Sequence, residues 1–211
     1  MNPSSRHPWH RQLHPFGLYG ARGSRELDRA AIENFGIPGE TLMEIAGTRA
    51  ADWIQQHELP NAEGIILAGK GNNGGDAYVV ARLLHEYGIQ VQVFSLVQVS
   101  SLTADALLNA QRWLSLGGEI TVFLDADEEN KKAHLEKIKV ESVKLSFNKT
   151  AKTHFSKALA TADFIVDGLL GIGINGPVSA SHEEIINLVN KATNTGLRLA
   201  CRWSGANWWS R

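Results

Sequence analysis

Cysteine is nearly absent from this sequence, since Cys201 is the single one among 211 residues. One cysteine excludes an internal disulfide and a cysteine-rich metal site, and it fits a reducing compartment, so we expect a cytoplasmic protein. No apolar run reaches the roughly 18 residues that a membrane span needs, so we expect no membrane partner. Neither sign of charge is in excess, because 21 basic against 22 acidic residues give a net charge of −1. This balance gives no electrostatic reason to expect nucleic acid as a partner.

Acidic residues are missing from the first 23 positions, which are rich in arginine, histidine and proline. The prolines at Pro3, Pro8 and Pro15 interrupt any amphipathic helix, and no continuous apolar segment of a secretory signal is present. We therefore expect a flexible N-terminal extension over residues 1–23. Residues 24–211 are enough for one α/β domain with its own core.

The rest of the chain alternates between strand-like and helix-like patterns. The spacing of apolar residues predicts helices over 24–35, 41–57, 76–87, 103–116 and 183–192, and strands over 64–68, 89–97, 119–124 and 163–166, with one more core strand after Leu197. Strands alternating with helices predict a parallel sheet covered on both faces. We expect a Rossmann-like three-layer αβα sandwich with a mostly parallel sheet. Residues 125–150 show little periodicity and are expected to form a solvated, irregular excursion.

A glycine-dense turn follows the apolar run 64–68 and reads Gly69-Lys70-Gly71-Asn72-Asn73-Gly74-Gly75-Asp76. Such a turn between a strand and a helix lets backbone N–H groups approach a phosphate, whose negative charge the helix N-terminus favours. The turn therefore predicts a binding site for a phosphorylated small molecule. The residues expected to contact it are Asn72, Asn73, Gly74, Gly75 and Asp76.

Other interpretations of this turn explain it less well. The glycine spacing satisfies the dinucleotide fingerprint, but the strand ending at Val97 carries no acidic residue for a ribose, so an ordinary NAD dehydrogenase is disfavoured. A P-loop is disfavoured because the GxxxxGK[ST] pattern is absent. A purely structural tight turn accounts for the glycines but not for the consecutive Asn72-Asn73 or for Asp76.

A second glycine-rich segment follows a later strand and begins Val166-Asp167-Gly168. If both segments lie at one sheet edge, they would clamp a phosphate-bearing ligand. Asn73 and Asp167 would then supply oxygen ligands to a hard cation, although Asp167 also fits a structural cap. The residues expected to line the ligand from this side are Gly171, Ile172, Gly173, Ile174, Asn175, Gly176 and Pro177.

In these segments the chain resembles the NAD(P)H-hydrate epimerase family, also called the YjeF N-terminal domain. The matching pieces, in order, are Leu18-Tyr19 with Arg25–Ala31, Leu42–Gly47, Gly71–Arg82 and Val166–Gly171. The resemblance implies an isomerase that interconverts the S and R forms of hydrated NADH and NADPH, in which K⁺ is bound by Asn73, Asp167 and Ser204. It also implies a homodimer and a partner ADP- or ATP-dependent dehydratase. The acid/base group is left open, as is the choice between loss and return of the hydroxyl and opening of the ring.

The chain departs from the family pattern at several positions. Ala77 stands where the family usually has glycine, Ile172 where threonine is common, and Asn175 where a basic residue is frequent. The family's Asp-Ile/Leu-Pro-Ser-Gly motif corresponds here to 201–205, where Cys201 replaces the aspartate. These departures predict a truncated or altered C-terminal part. They keep a second hypothesis open, a catalytically inactive relative that binds nucleotide or acts as a scaffold, as related domains do in mRNA decapping.

Overall fold

A computed structural model describes residues 21–57, 61–124, 143–172, 176–193 and 198–202. The elements in chain order are α1 (Ala21–Phe35), α2 (Gly39–His57), β1 (Glu63–Ala68), α3 (Asn72–Glu86), β2 (Gln90–Ser95), α4 (Ala104–Ser115), β3 (Ile120–Leu124), β4 (Val143–Phe147), α5 (Asn148–Thr161), β5 (Phe164–Gly168), α6 (Ala180–Thr193) and β6 (Arg198–Arg202).

The strands form one six-stranded sheet in the order β4-β3-β2-β1-β5-β6. Every neighbouring pair is parallel, so the predicted mostly parallel sheet is confirmed. The two central strands β1 and β5 are buried on both faces, as expected of strands covered by helices on either side. The expected last core strand is β6, which pairs with β5.

Two apolar clusters cover the two faces of this sheet and complete the three layers. On one face, residues of α2, α3 and α4, among them Ile54, Tyr78 and Trp113, pack against Ile66 and Val166 of the strands. On the other face, residues of α5 and α6, with Phe155 and Ile185 at the centre, pack against Ile65, Leu67 and Phe94. The alternation of Ile65, Ile66 and Leu67 between the clusters follows from the two-residue period of a strand.

The structure corrects several predicted boundaries. Helix α1 begins at Ala21, so the last positions of the expected flexible extension 1–23 are helical. Helix α3 begins at Asn72 rather than at residue 76, because Gly71 occupies the N-cap position and the glycine pair continues the helix. The expected irregular segment 125–150 contains β4 and the start of α5; its residues 125–142 lie outside the described part of the chain.

Within the described residues, no helix is both long and apolar enough to cross a membrane.

Candidate functional site

The strand order places a crevice between the loops that follow β1 and β5. The chain proceeds from β1 outward to β2, β3 and β4, then returns to place β5 on the opposite side of β1. Connections that leave in opposite directions from adjacent parallel strands open a crevice at their carboxyl ends, where ligands of such sheets bind. Both glycine-rich segments of the sequence begin at this point.

Close backbone packing explains the glycines of the first loop. A Cβ on Gly69 would collide with the carbonyl oxygen of Leu169, and one on Gly74 would collide with the carbonyl oxygen of Gly69. A Cβ on Gly168 would lie 2.8 Å from the carbonyl oxygen of Asn73. The start of α3 therefore lies directly against the end of β5, and no side chain fits between them.

Hydrogen bonds hold the two loops together. The Gly69 N–H donates to the carbonyl oxygen of Gly168 over 3.0 Å. The side-chain amide of Asn73 donates to the carbonyl oxygen of Leu170 over 3.1 Å. The consequence is that Asn73, at the first turn of α3, is tied to the chain just beyond β5. Gly71, at the N-cap of α3, has no side chain that could cap the first-turn N–H groups, and such groups at a helix N-terminus favour an anion.

Asp167 lies at the carboxyl end of β5 and is only 7% exposed. Its Oδ1 accepts a hydrogen bond of 3.0 Å from the N–H of Leu169, which shapes the start of the second loop. The structural cap that was weighed for this residue is therefore present.

The residues expected to bind K⁺ carry oxygen atoms at this edge of the sheet. The described residues contain no cluster of three or more histidine, cysteine, aspartate or glutamate side chains. Asp167 accepts a hydrogen bond from the Leu169 N–H, and the side-chain amide of Asn73 donates to the Leu170 carbonyl oxygen, so both side chains are anchored to the start of the second loop. Carboxylate, amide and carbonyl oxygens are the ligands that hard cations prefer in general. Ser204, the remaining expected ligand, lies outside the described residues.

The carboxyl group of Asp76 has a raised pKa. It lies in the second turn of α3, and burial, reinforced by the negative charge of Asp28, raises the pKa of Asp76 from 3.8 to about 7. A carboxyl group that titrates near neutrality in a crevice is a candidate for proton transfer. The sequence placed Asp76 in the site but gave no sign of the altered pKa.

Helix α1 also reaches the site, which the sequence did not predict. The guanidinium of Arg25 donates to the carbonyl oxygen of Ile172 in the second loop over 3.3 Å. Asp28, one turn further along α1, lies near enough to Asp76 for its charge to act there. Local sequence patterns do not predict a contact between residues that are 147 positions apart.

A groove of about 780 Å³ lies elsewhere, between α2, α3 and α4. Ion pairs occupy it, between Arg82 and Glu44 and between Arg112 and Glu40. These charges neutralise one another, and the glycine loops do not line this groove. We therefore assign the site to the crevice between β1 and β5.

The structure thus brings together most of the expected site residues that it describes. Asn73 and Gly171 come into contact range, since a Cβ on Gly171 would lie 3.4 Å from the Cβ of Asn73. Asn72 is exposed at the helix start, whereas Gly74 and Gly75 are buried and act through their backbone. Gly176 and Pro177 are exposed further along the second loop. Gly173, Ile174 and Asn175 lie outside the described residues.

A family model described as "YjeF-related protein N-terminus" matches residues 39–201. This range includes both glycine loops, strands β1 to β5 and all of β6 except Arg202.

Several curated proteins are similar to this chain over most of its length. The chain is 31% identical to an NAD(P)H-hydrate epimerase of Rhodopirellula baltica and 32% identical to one of Pirellula staleyi. Each match covers 83% of this chain, and 60% and 67% of the respective protein. A bifunctional NAD(P)H-hydrate repair enzyme of Moorella thermoacetica is 33% identical, with 79% of this chain and 28% of that protein covered. The chain therefore spans from about a quarter to two thirds of the length of these relatives.

Among solved structures, the crystal structure of the yeast protein ynu0 aligns with a TM-score of 0.63 at 20% identity. The alignment covers 84% of this chain and 66% of that one. At this identity the likeness shows the fold alone.

Proposed function

The chain belongs to the family of the YjeF-related protein N-terminus, and from this membership and the geometry of its crevice we propose that it epimerises hydrated NADH and NADPH. The observation that carries the proposal is the direct joining of the two glycine loops at the switch point of the sheet, through Asn73 and Leu170. A dinucleotide supplies the phosphates that the N-terminus of α3 favours and a ring that reaches the carboxyl groups of the crevice.

In this proposal, some residues of the crevice bind the ligand and K⁺, and another transfers the proton. The backbone of Asn72 to Gly75 holds phosphate oxygens, and Gly171 to Pro177 cover the ligand from the side of β5. Asn73 and Asp167, with Ser204, hold K⁺, which supplies positive charge that orients the bound nucleotide. Asp76 handles the proton that any exchange of the hydroxyl between faces of the ring requires.

The proposal extends to partners and location. Some relatives are named as bifunctional repair enzymes, which fits a chain whose product is passed to an ADP- or ATP-dependent dehydratase. We propose a homodimer, following the family resemblance, and a cytoplasmic location, following the low cysteine content. Size-exclusion chromatography with light scattering tests the first, and fluorescence microscopy of the tagged chain tests the second.

The assay uses one purified epimer of hydrated NADPH, with K⁺ present, and follows both epimers by chromatography. The expected result is conversion to a mixture of both epimers faster than in a protein-free control. The Asn73→Ala variant should lose most of this acceleration because both a K⁺ ligand and a bond between the loops are removed. A folded protein that leaves the epimer unchanged relative to the control would overturn the proposal.

A second candidate is nucleotide binding without turnover. It is favoured by Cys201, which stands in β6 where the family motif has aspartate. Under this candidate NADP(H) raises the melting temperature of the chain, but the epimer composition stays at the control value.

A further inference from the structure

Helix α4 contacts both ends of the first loop. At the start of the loop, the N–H of Thr103, the N-cap residue of α4, donates to the carbonyl oxygen of Lys70 over 3.1 Å. At the far end, Gly75 lies against the backbone of α4, since a Cβ on Gly75 would lie 3.2 Å from the Cα of Ala106. The loop is therefore held by α4 as well as by the end of β5.

The side chain of Met43 fills the space beside Gly75. A Cβ on Gly75 would collide with both the Sδ and the Cε atoms of Met43, so the thioether lies directly against this glycine. Met43 belongs to α2 and is only 4% exposed. A methionine side chain has three rotatable bonds and adapts to many shapes, so packing alone specifies its conformation poorly. A further contact is therefore needed to keep the thioether beside Gly75.

Asn109 of α4 supplies that contact. Its Nδ2 donates to the Sδ of Met43 over 3.2 Å and to the carbonyl oxygen of Asp105 over 3.1 Å. The bond to Asp105, in the preceding turn of the same helix, sets the direction of the amide. Together the two bonds direct an N–H of Asn109 at the sulfur atom that lies against Gly75.

The needs of the core do not explain an asparagine at this position. Asn109 is 1% exposed, and within the described residues its Oδ1 is buried without a hydrogen-bond partner. Such an atom costs free energy, and sulfur is a weak acceptor that offsets little of this cost. The nearby positions Ala106, Ala110 and Trp113 of α4 are buried and carry no such amide. A leucine would suit the core better, so the contribution of the amide lies in what it holds in place.

We propose that Asn109, acting through Met43, is a positioning residue for the first turn of α3, where it holds the backbone around Gly75 in place for the phosphate groups of the nucleotide. The inference rests on the proposed function, which assigns the backbone of Asn72 to Gly75 to phosphate binding. Without the bond from Asn109, the thioether can turn away and leave space beside Gly75. The glycine, which has no side chain of its own, then gains backbone freedom that weakens phosphate binding.

Amide hydrogen exchange in the ligand-free chain tests the positioning role directly. The N–H of Gly75 donates to the carbonyl oxygen of Gly71 over 3.0 Å, so its exchange rate reports on the first turn of α3. Asn109→Leu has a similar shape but no amide and should raise this rate about three- to tenfold, the factor that one hydrogen bond is worth. The N–H of Tyr87, bonded to the Leu83 carbonyl oxygen at the other end of α3, should exchange as in wild type. An unchanged Gly75 rate in Asn109→Leu would overturn the inference.

A control variant and a double-mutant cycle separate this role from a general loss of stability. Thr121→Val removes another buried polar side chain, 5% exposed on β3, and should leave the Gly75 rate unchanged. Met43→Leu keeps an apolar side chain of similar volume but removes the sulfur, so it should raise the rate by itself. In the Met43→Leu background, Asn109→Leu should add little, because the two residues act through one bond. Fully additive effects, or equal rises at Gly75 and Tyr87, would contradict a role through Met43.

Isothermal titration calorimetry with NADP⁺ gives the functional readout. Asn109→Leu should raise the dissociation constant about three- to tenfold. Its melting temperature without ligand should stay at or above that of wild type, because an apolar side chain replaces a buried amide whose oxygen lacks a partner. Thr121→Val should bind NADP⁺ as wild type does.

The outcomes for the inference and for the proposed function are distinct. A wild-type chain that binds no NADP⁺ would overturn the proposed function, whereas the exchange rates would still decide whether Asn109 positions the first turn of α3. An Asn109→Leu chain that loses stability but keeps the wild-type affinity for NADP⁺ would show a structural role alone and overturn the inference.

Discussion

At the scale of single residues, two glycines of the first loop differ in whether close backbone packing requires them. A Cβ on Gly74 would strike the backbone carbonyl of Gly69, whereas one on Gly71 meets nothing within 4 Å. Gly71 also has an extended backbone, with φ −98°, that other residues adopt. We expect Gly74→Ala to lower the free energy of unfolding by about 1–3 kcal/mol, as overpacking does, and Gly71→Ala to change it by less than about 0.5 kcal/mol. Urea denaturation measures both; equal losses would contradict the packing described here.

Asp76 makes a pH-dependent contribution to stability with a definite sign. Its pKa is about 7 in the folded chain against 3.8 as the ordinary value. Between these values the folded chain keeps a proton that the unfolded chain releases, so the contribution to stability falls as pH rises from about 4 to 7 and then levels off. In the Asp76→Asn variant this fall in stability with rising pH should be absent.

The free energy of unfolding of Asp76→Asn should therefore improve relative to wild type by about 2–4 kcal/mol between pH 4 and pH 8. Denaturant titrations at intervals across this range measure the difference. Parallel pH curves for the two proteins would show that Asp76 titrates normally.

At the scale of elements, an ion-pair network fastens α2 to α3. The Arg82 side chain is 15% exposed and contacts both Glu44 of α2 and Glu86 of its own helix, whereas Arg29 on α1 is 70% exposed and lies 3.9 Å from Glu33. Arg82→Met should lower the free energy of unfolding by about 1–2 kcal/mol, because Glu44 and Glu86, 37% and 45% exposed, both lose the largely buried Arg82 as their partner. Arg29→Met should change it by less than about 1 kcal/mol. Chemical denaturation distinguishes them, and similar losses would refute the network's role.

The elements that the sequence predicts correctly are those in which apolar residues recur at regular spacing without interruption. β1 and β3 follow from short apolar runs, and α4 follows from its apolar stripe. Helix α5 was missed although Ala151, Phe155 and Ala158 are buried at helical spacing, because a highly charged stretch precedes it and masks the pattern. The sequence predicts the start of α3 too far along the chain because glycines ordinarily disfavour helices. Here the close contact between α3 and the end of β5 requires glycines at these positions.

At the scale of the whole molecule, the fold class and the two loops were predictable, but the way they meet was not. Alternating strands and helices indicate a parallel sheet, yet they do not specify the return from β4 to β5 that creates the crevice. The position of α1 depends on Arg25 and Ile172, far apart in the chain. Local sequence patterns carry no information about such contacts.

Ligand binding should stabilise the molecule as a unit. NADP(H) with K⁺ at about 100 times its dissociation constant should add about 2.7 kcal/mol to the free energy of unfolding and raise the melting temperature. Asp167→Asn should lose the part of this rise that depends on K⁺. Asp163→Asn is the control at the opposite end of β5, where Asp163 accepts a hydrogen bond from the Glu63 N–H. This variant should have a lower melting temperature without ligand but should keep the ligand-dependent rise. A K⁺-dependent rise that survives in Asp167→Asn would remove Asp167 from the cation site.

The most direct test of the joined-loop site is the time course of a single epimer of hydrated NADPH with wild-type protein and with Asp76→Asn, both shown to be folded by circular dichroism. The account predicts that the wild-type protein brings the two epimers to a common mixture faster than the protein-free control. The acceleration by Asp76→Asn over the same control should be no more than about one hundredth of the wild-type acceleration. Wild-type and Asp76→Asn proteins that convert the epimer at the same rate would contradict it.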